Sequence, residues 1–222
     1  MVLKSLYLHL EQPKFPVEYA YAVLKGSRFI CNFIERTALK PLKFRVDGFN
    51  RICVVLDPAP QQEFFVNSAG SAAVWLPFQR ERFDRLAFEE RPLFYIEMIQ
   101  SGLQTMEKHC PVPKLAIEEG LQAFQAGGLL NEWIHVKRRL KSPGLSALLR
   151  CKLTQEKFTL SLTIEKPGTT LFDAVILETD PDENAFAYRF KDIALQGDKL
   201  VVTGKHSTNL IELPLSDLIH AA

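Results

Sequence analysis

The stretch Lys157-Phe-Thr-Leu-Ser-Leu-Thr-Ile-Glu165 alternates polar and apolar side chains without a break. Successive side chains of a strand point to opposite faces, so Phe158, Leu160, Leu162 and Ile164 form an apolar row and Thr159, Ser161 and Thr163 a polar one. A strand of this kind lays one face on a core and leaves the other in water. Similar segments flank it at residues 133–141, 145–153, 171–178, 185–190, 199–203 and 209–213. Between them lie short turn-like connections such as Ser142-Pro143-Gly144, Pro167-Gly168, Asp180-Pro-Asp-Glu-Asn184 and Gln196-Gly197-Asp198. Connections this short impose antiparallel neighbours, because a parallel crossover needs about a dozen residues. The region after Gly128 is therefore expected to be an antiparallel meander.

Upstream the apolar period changes from two to that of a helix. Pro92 suits a first helical turn, where its missing N–H costs nothing, and Leu93, Ile96, Ile99, Leu103 and Met106 recur at spacings of three and four. That helix should end near His109. A second, over residues 114–126, presents Ile117, Leu121 and Phe124 on one stripe and stops at Gly127-Gly128. Gly102 and Gly120 each cost about 1 kcal/mol inside a helix, unless a neighbour needs the room. The resulting helical hairpin is a natural cover for the apolar face of the meander.

Over the first 78 residues the pattern reads as strands joined by tight turns. Leu6, Leu8 and Leu10 share one face, and Leu42, Phe44 and Val46 share another. Asp47-Gly48 supplies the positive φ angles of a hairpin turn, which predicts antiparallel pairing of residues 43–47 with 51–56. A second hairpin is expected around Ser68-Ala69-Gly70, joining residues 63–67 to 72–76. Residues 19–35 admit a helix or extended arm followed by a strand over 28–34. The fold class expected is α+β: an antiparallel β meander in the C-terminal half packed on a central helical hairpin, with an N-terminal set of β-hairpins. One domain spans 1–222, with sub-units at 1–78, 79–128 and 129–222.

Composition bounds the function. With 47% hydrophobic residues, 16 of them Phe, the chain can bury a core without a staple. The 27 Lys and Arg nearly cancel the 26 Asp and Glu, so no global field draws the protein toward nucleic acid or anionic lipid. Cys31, Cys53, Cys110 and Cys151 form no Cys-x-x-Cys pair and mostly lie in apolar runs, which reads as reduced core cysteines. The N-terminus lacks the apolar run and cleavage site of a signal peptide, and no uncharged apolar run approaches the ~18 residues that span a bilayer. A cytoplasmic location without membrane contact is the expectation.

Motifs that carry chemistry are sparse. His9, His109, His135, His206 and His220 form no metal-ligand spacing, and no nucleophile elbow, phosphate loop or dinucleotide fingerprint occurs. No catalytic residue, cofactor or metal site is assigned. His109-Cys110 is an adjacent pair that reads as a helix end, with Lys108 and His109 complementing the dipole. Asp180-Pro-Asp-Glu183 has too few regularly spaced oxygens for a calcium loop and reads as a solvated turn. In Lys137-Arg-Arg-Leu-Lys141, strand alternation puts Lys137, Arg139 and Lys141 on the side of Trp133 and His135. Trp133, His135, Lys137 and Arg139 are the expected partner-binding residues, since an aromatic beside cations suits either a protein or a nucleic acid.

The order of hairpins, Leu76-Pro-Phe78, Phe83, a helical hairpin, Asn131-Glu-Trp133, a basic strand, a Phe/Leu-alternating strand, and Glu178-Thr-Asp-Pro-Asp-Glu183 leading to Phe190-Lys-Asp-Ile193 resembles small bacterial immunity-type proteins encoded beside secreted toxins. The resemblance covers residues 63 to 205 and carries over no functional residue. It implies a binding protein whose surface plugs the active site of a toxin-like effector. The residues themselves point toward protein recognition through a patterned core and a wide mixed-charge sheet face. The alternatives are a hydrolase-type enzyme with catalytic residues dispersed in sequence, and an RNA- or DNA-binding module using the Lys137 to Lys141 strand.

Overall fold

In a computed structural model the protein is described at residues 1–140, 144–206 and 208–220. It is an α+β protein that divides by its contacts into two compact units, Met1–Asn131 and Glu132–Ala222. Lys141, Ser142 and Pro143, and with them the end of the expected basic strand and its turn, lie outside the described residues.

The first unit opens with β1 (Ser5–Leu10), whose burial alternates as the sequence predicts. A long helix, α1 (Val17–Ile34), follows, runs through a π-helical turn at Glu35–Leu39, and ends in α2 (Lys40–Leu42). The strand expected over 28–34 is therefore helix, and Phe29, Ile30 and Ile34 are buried from it. Next come β2 (Arg51–Asp57), β3 (Phe64–Val66) and β4 (Ser71–Pro77). These four strands make one sheet in the order β1-β2-β4-β3, in which β1, β2 and β4 run parallel and only β3 is antiparallel to β4.

The hairpin expected around Asp47-Gly48 does not form. Gly48 does take a positive φ of 79°, but Lys43 ends a helix in the left-handed region, and residue 45 makes only an isolated bridge to Val2. The physical reason lies in Ile52-Cys-Val-Val-Leu56. A continuous apolar run belongs to a strand buried in a parallel sheet, and the 26 residues of helical conformation from Val17 to Leu42 provide the crossover such a sheet requires. The hairpin around Ser68-Ala69-Gly70 forms as expected, with Phe64 opposite Val74 and Gly70 at φ 78°.

Two short helical segments, α3 (Arg80–Asp84) and a 3-10 turn at Phe88–Glu90, lead into the helical hairpin of α4 (Arg91–Met106) and α5 (Lys114–Ala126). Pro92 occupies the first turn of α4 as expected, while Leu93 is exposed and leaves the buried stripe to Ile96, Ile99, Leu103 and Met106. The helices pack within the first unit: α4 lies against β4, β1 and β2, and α5 against α1. The sheet on which they pack is the parallel one of their own unit. Gly102 explains the match, because a Cβ there would stand 2.5 Å from Cγ2 of Val54 on β2. The helix axis can approach the sheet only where that carbon is missing.

The second unit contains β5 (Asn131–Arg139), which starts at the last residue of the first unit, then β6 (Ser146–Leu153), β7 (Phe158–Lys166) and β8 (Thr169–Thr179). They form a four-stranded sheet in sequence order, with β6, β7 and β8 antiparallel as the alternation predicts. Where a strand was expected over 185–190, the chain makes a short helix, α6 (Glu183–Phe186). Asp182 causes this, since its carboxylate accepts a hydrogen bond from the N–H of Asn184 at 2.9 Å and so caps the helix. Afterwards β9 (Asp192–Gln196), β10 (Lys199–Thr203) and β11 (Asn209–Pro214) build a separate three-stranded antiparallel sheet, followed by α7 (Leu215–His220). The C-terminal half is thus two antiparallel sheets. No helix of the described residues is long and apolar enough to cross a membrane.

Candidate functional site

Of the four expected partner-binding residues, two turn toward an aromatic cluster. The Trp133 ring lies 6.1 Å from that of buried Phe158, and His135 packs edge-on against buried Phe190 at 4.8 Å. Phe158, Phe186 and Phe190 stack nearly parallel, with Phe158 and Phe186 only 3.8 Å apart. His135 Nε2 is 3.1 Å from the carbonyl of Lys191, so that nitrogen carries the proton and donates. Lys137 and Arg139 are exposed and in no ion pair with a described residue. Between them Arg138 makes a two-pronged pair with Asp192, at 2.9 and 2.6 Å, which holds the Asp192 carboxyl below its usual range. The basic strand is thus divided into two rings held by aromatic packing, a neutralised arginine and two free cations.

The outer face of the β5 to β8 sheet is the broader surface. Register fixes which residues share it. Arg150 pairs with Ser161 and Ser161 with Val175; Lys152 pairs with Thr159 and Thr159 with Glu178; Leu148 pairs with Thr163 and Thr163 with Asp173. Lys152 also meets Glu132 at 3.1 Å, which places Glu132 on this face, and Ile134 follows by alternation. Ile134 and Val175 are each 58% exposed, far more than branched apolar side chains usually are. Arg150 is exposed and in no ion pair with a described residue. The polar groups around this set are satisfied internally: Lys157 pairs with Glu178 at 2.8 Å, and the Asp173 carboxylate accepts a hydrogen bond from the Thr163 hydroxyl at 2.9 Å. Apolar and cationic side chains left free inside a rim of satisfied polar groups are the arrangement of a protein contact surface. The sequence reading named β5 and overlooked Arg150 and Val175. Its signal was present in Leu149-Arg-Cys-Lys-Leu153, where polar residues alternate with buried ones.

A cleft of about 410 Å³ runs along β1 in the first unit, on the sheet face opposite Leu6 and Leu8. Tyr7, His9 and Glu11 line it from β1 and its continuation, Arg51 and Cys53 from β2, and Leu24 from α1. The Arg51 guanidinium sits 5.5 Å from the Tyr7 ring centre. Glu11 is held by the Trp75 indole, which donates to its carboxylate at 2.6 Å. His9 Nδ1 is 3.1 Å from the Leu10 carbonyl and must donate there, which leaves Nε2 as an acceptor in the neutral ring. Burial pushes the Cys53 thiol up, outweighing the pull of Arg51 and of the Ser71 hydroxyl, so the sulfur stays protonated at neutral pH. This set can hold an anionic group but presents no thiolate nucleophile.

The remaining sequence candidates have local partners. His109 stacks flat on Phe64, 4.8 Å between centres, and lies 3.3 Å from Glu63. Burial raises the Cys110 thiol. The Asp180 to Glu183 turn provides the α6 cap. No group of three or more His, Cys, Asp or Glu among the described residues is arranged to hold a metal ion. Comparison with known proteins finds no match: no family model, no curated protein and no solved structure is significantly similar to this chain.

Proposed function

We propose that this is a protein-binding module, of the immunity type, that neutralises a cognate toxin-like bacterial effector by covering it with the outer face of the β5 to β8 sheet. The observation that carries this reading is the free Ile134, Arg150 and Val175 set inside a rim of internally paired charges. Such a face offers apolar contact area at its centre and one long-reaching cation, with little polar desolvation at its edge. The mixed charge of the whole chain favours a shaped protein partner over a polyanion.

The test is co-expression with the product of the neighbouring gene. The reading expects the two proteins to co-purify at equal amounts and the toxicity of the neighbour to be suppressed. Arg150→Glu with Val175→Glu should abolish both while leaving the thermal unfolding midpoint unchanged. Suppression that survives the double substitution, or no complex with the wild-type chain, would count against it. Arg51→Ala in the β1 cleft is the control, because it should leave the complex intact.

A further inference from the structure

The cleft of about 410 Å³ along β1 is lined by two unlike charges. Arg51 stands beside Ser5 in the strand register, and Glu11 follows directly on Leu10 at the far end of β1. Arg51 is exposed, Glu11 is half-buried, and neither is in an ion pair with a described residue. The Trp75 indole that donates to Glu11 is a neutral group, so it orients the carboxylate and leaves its negative charge in place. From residue 5 to residue 11 a strand advances about 20 Å, and the reach of the two side chains leaves roughly 10–15 Å between the charges. Between them Tyr7 and His9 form the strand side of the cleft, and Ala20 and Leu24 the helix side.

From this we infer that the cleft binds a short zwitterionic peptide, its terminal carboxylate at Arg51 and its terminal ammonium at Glu11. The peptide then runs antiparallel to β1. A guanidinium offers a planar pair of donors that matches a carboxylate, and the Glu11 carboxylate accepts from an ammonium. An extended chain of about three to five residues covers the distance between them. Along the way His9 Nε2, the acceptor of the neutral ring, can take a backbone N–H, and Ala20 and Leu24 give an apolar side chain its contact. A ligand of one charge only is served worse, because Glu11 repels an anion and Arg51 a cation. The cleft has the capacity for such a ligand, since small-molecule sites occupy about 300–1,000 Å³. This site is independent of the β5 to β8 face, which belongs to the other unit.

The test is calorimetric titration of the full chain with alanyl-leucyl-alanine and its homologues lengthened by one and two alanines, all with free termini. At least one is expected to bind at one peptide per chain. Acetylating its N-terminus or amidating its C-terminus should each weaken binding by about tenfold or more. In Arg51→Ala the free and amidated peptides should bind alike, and in Glu11→Gln the free and acetylated ones, because each variant lacks the group that tells the two forms apart. Arg51→Lys should keep the preference for a free carboxylate. The glutamine still accepts from Trp75, so an unchanged thermal unfolding midpoint is expected for all three variants. Failure of every free peptide to bind the wild type overturns the inference. So does equal affinity for a peptide blocked at both ends, the behaviour of a cleft that reads an internal stretch of a protein, or end preferences that survive the substitutions. Arg51→Ala leaves the complex through the β5 to β8 face intact, so the two readings fail separately.

Discussion

A Cβ added at Gly102 would meet the branch carbons of Val54, which are anchored to a strand and cannot move away. At Gly120 the nearest atom, at 2.9 Å, is Cδ1 of Ile34, the far end of a flexible side chain. Gly102→Ala is therefore expected to destabilise the protein by about 1–3 kcal/mol through overpacking. For Gly120→Ala the strain is offset by a helix-propensity gain of about 1 kcal/mol, so the change should be near neutral. Denaturant unfolding of the two variants side by side checks the contrast. Asp57, buried at the end of β2, supplies a pH-dependent test. Burial alone would raise its carboxyl, but Lys14 Nζ at 2.7 Å from each oxygen and the Ala59 N–H at 2.9 Å outweigh that and hold it below 3.8. A depressed carboxyl stabilises the fold above its unfolded value near 3.8, and that contribution disappears as pH falls through the lower, folded value. Unfolding measured across acid pH should show this loss in the wild type and not in Asp57→Asn, which should also cost about 2 kcal/mol at neutral pH.

At the scale of elements, the exposed edge of β1 is closed by side chains of the long helix. Glu35 accepts the Leu6 N–H at 2.8 Å, Arg28 donates to the Leu6 carbonyl at 2.7 Å, and Ser27 donates to that of Leu8 at 3.1 Å. An edge strand so covered cannot template another chain. Arg28 is almost fully buried and pairs with Glu35 at 3.3 Å, so Glu35→Ala would strand its charge and cost about 3 kcal/mol, measurable by thermal unfolding. Asp182→Ala should cost about 1 kcal/mol and loosen the Phe186 stack, visible in near-ultraviolet circular dichroism.

These elements also show how far sequence alone reaches. The β6, β7 and β8 strands and the α4 and α5 helices were legible because each writes its period over several turns or pleats. Residues 28–34 were not, since Phe29, Ile30 and Ile34 fit a buried strand as well as a buried helix face. Residues 43–47 failed because a turn dipeptide reports local φ angles and says nothing about which strand lies next to β2. Phe186 and Phe190, spaced by four, were read at period two. Among site residues, alternation along β5 grouped Trp133, His135, Lys137 and Arg139 correctly as a strand, but their facing depended on Phe158 and Phe190, far away in the chain. The Arg150 to Val175 row exists only through pairing across three strands.

The molecule as a whole comprises two contact-defined units with separate tasks in this account: one sheet covered by helices, and one four-stranded sheet with an open outer face. With Arg138 neutralised by Asp192, the β5 cations left over are Lys137 and Arg139. Lys137→Glu with Arg139→Glu should accordingly change retention on RNA or heparin little, whereas a polyanion-binding protein would lose it with a steep salt dependence. The central claim is that the outer β5 to β8 face grips a protein. Its most direct measurement is the dissociation constant of the complex with the co-expressed neighbour, by calorimetry, for the wild type and for Ile134→Glu with Val175→Glu. The account predicts tight equimolar binding that falls by at least about a hundredfold in the variant, the loss of two central anchors of about 1.4 kcal/mol or more each. Equal affinity for both proteins, with the variant still folded, would contradict it.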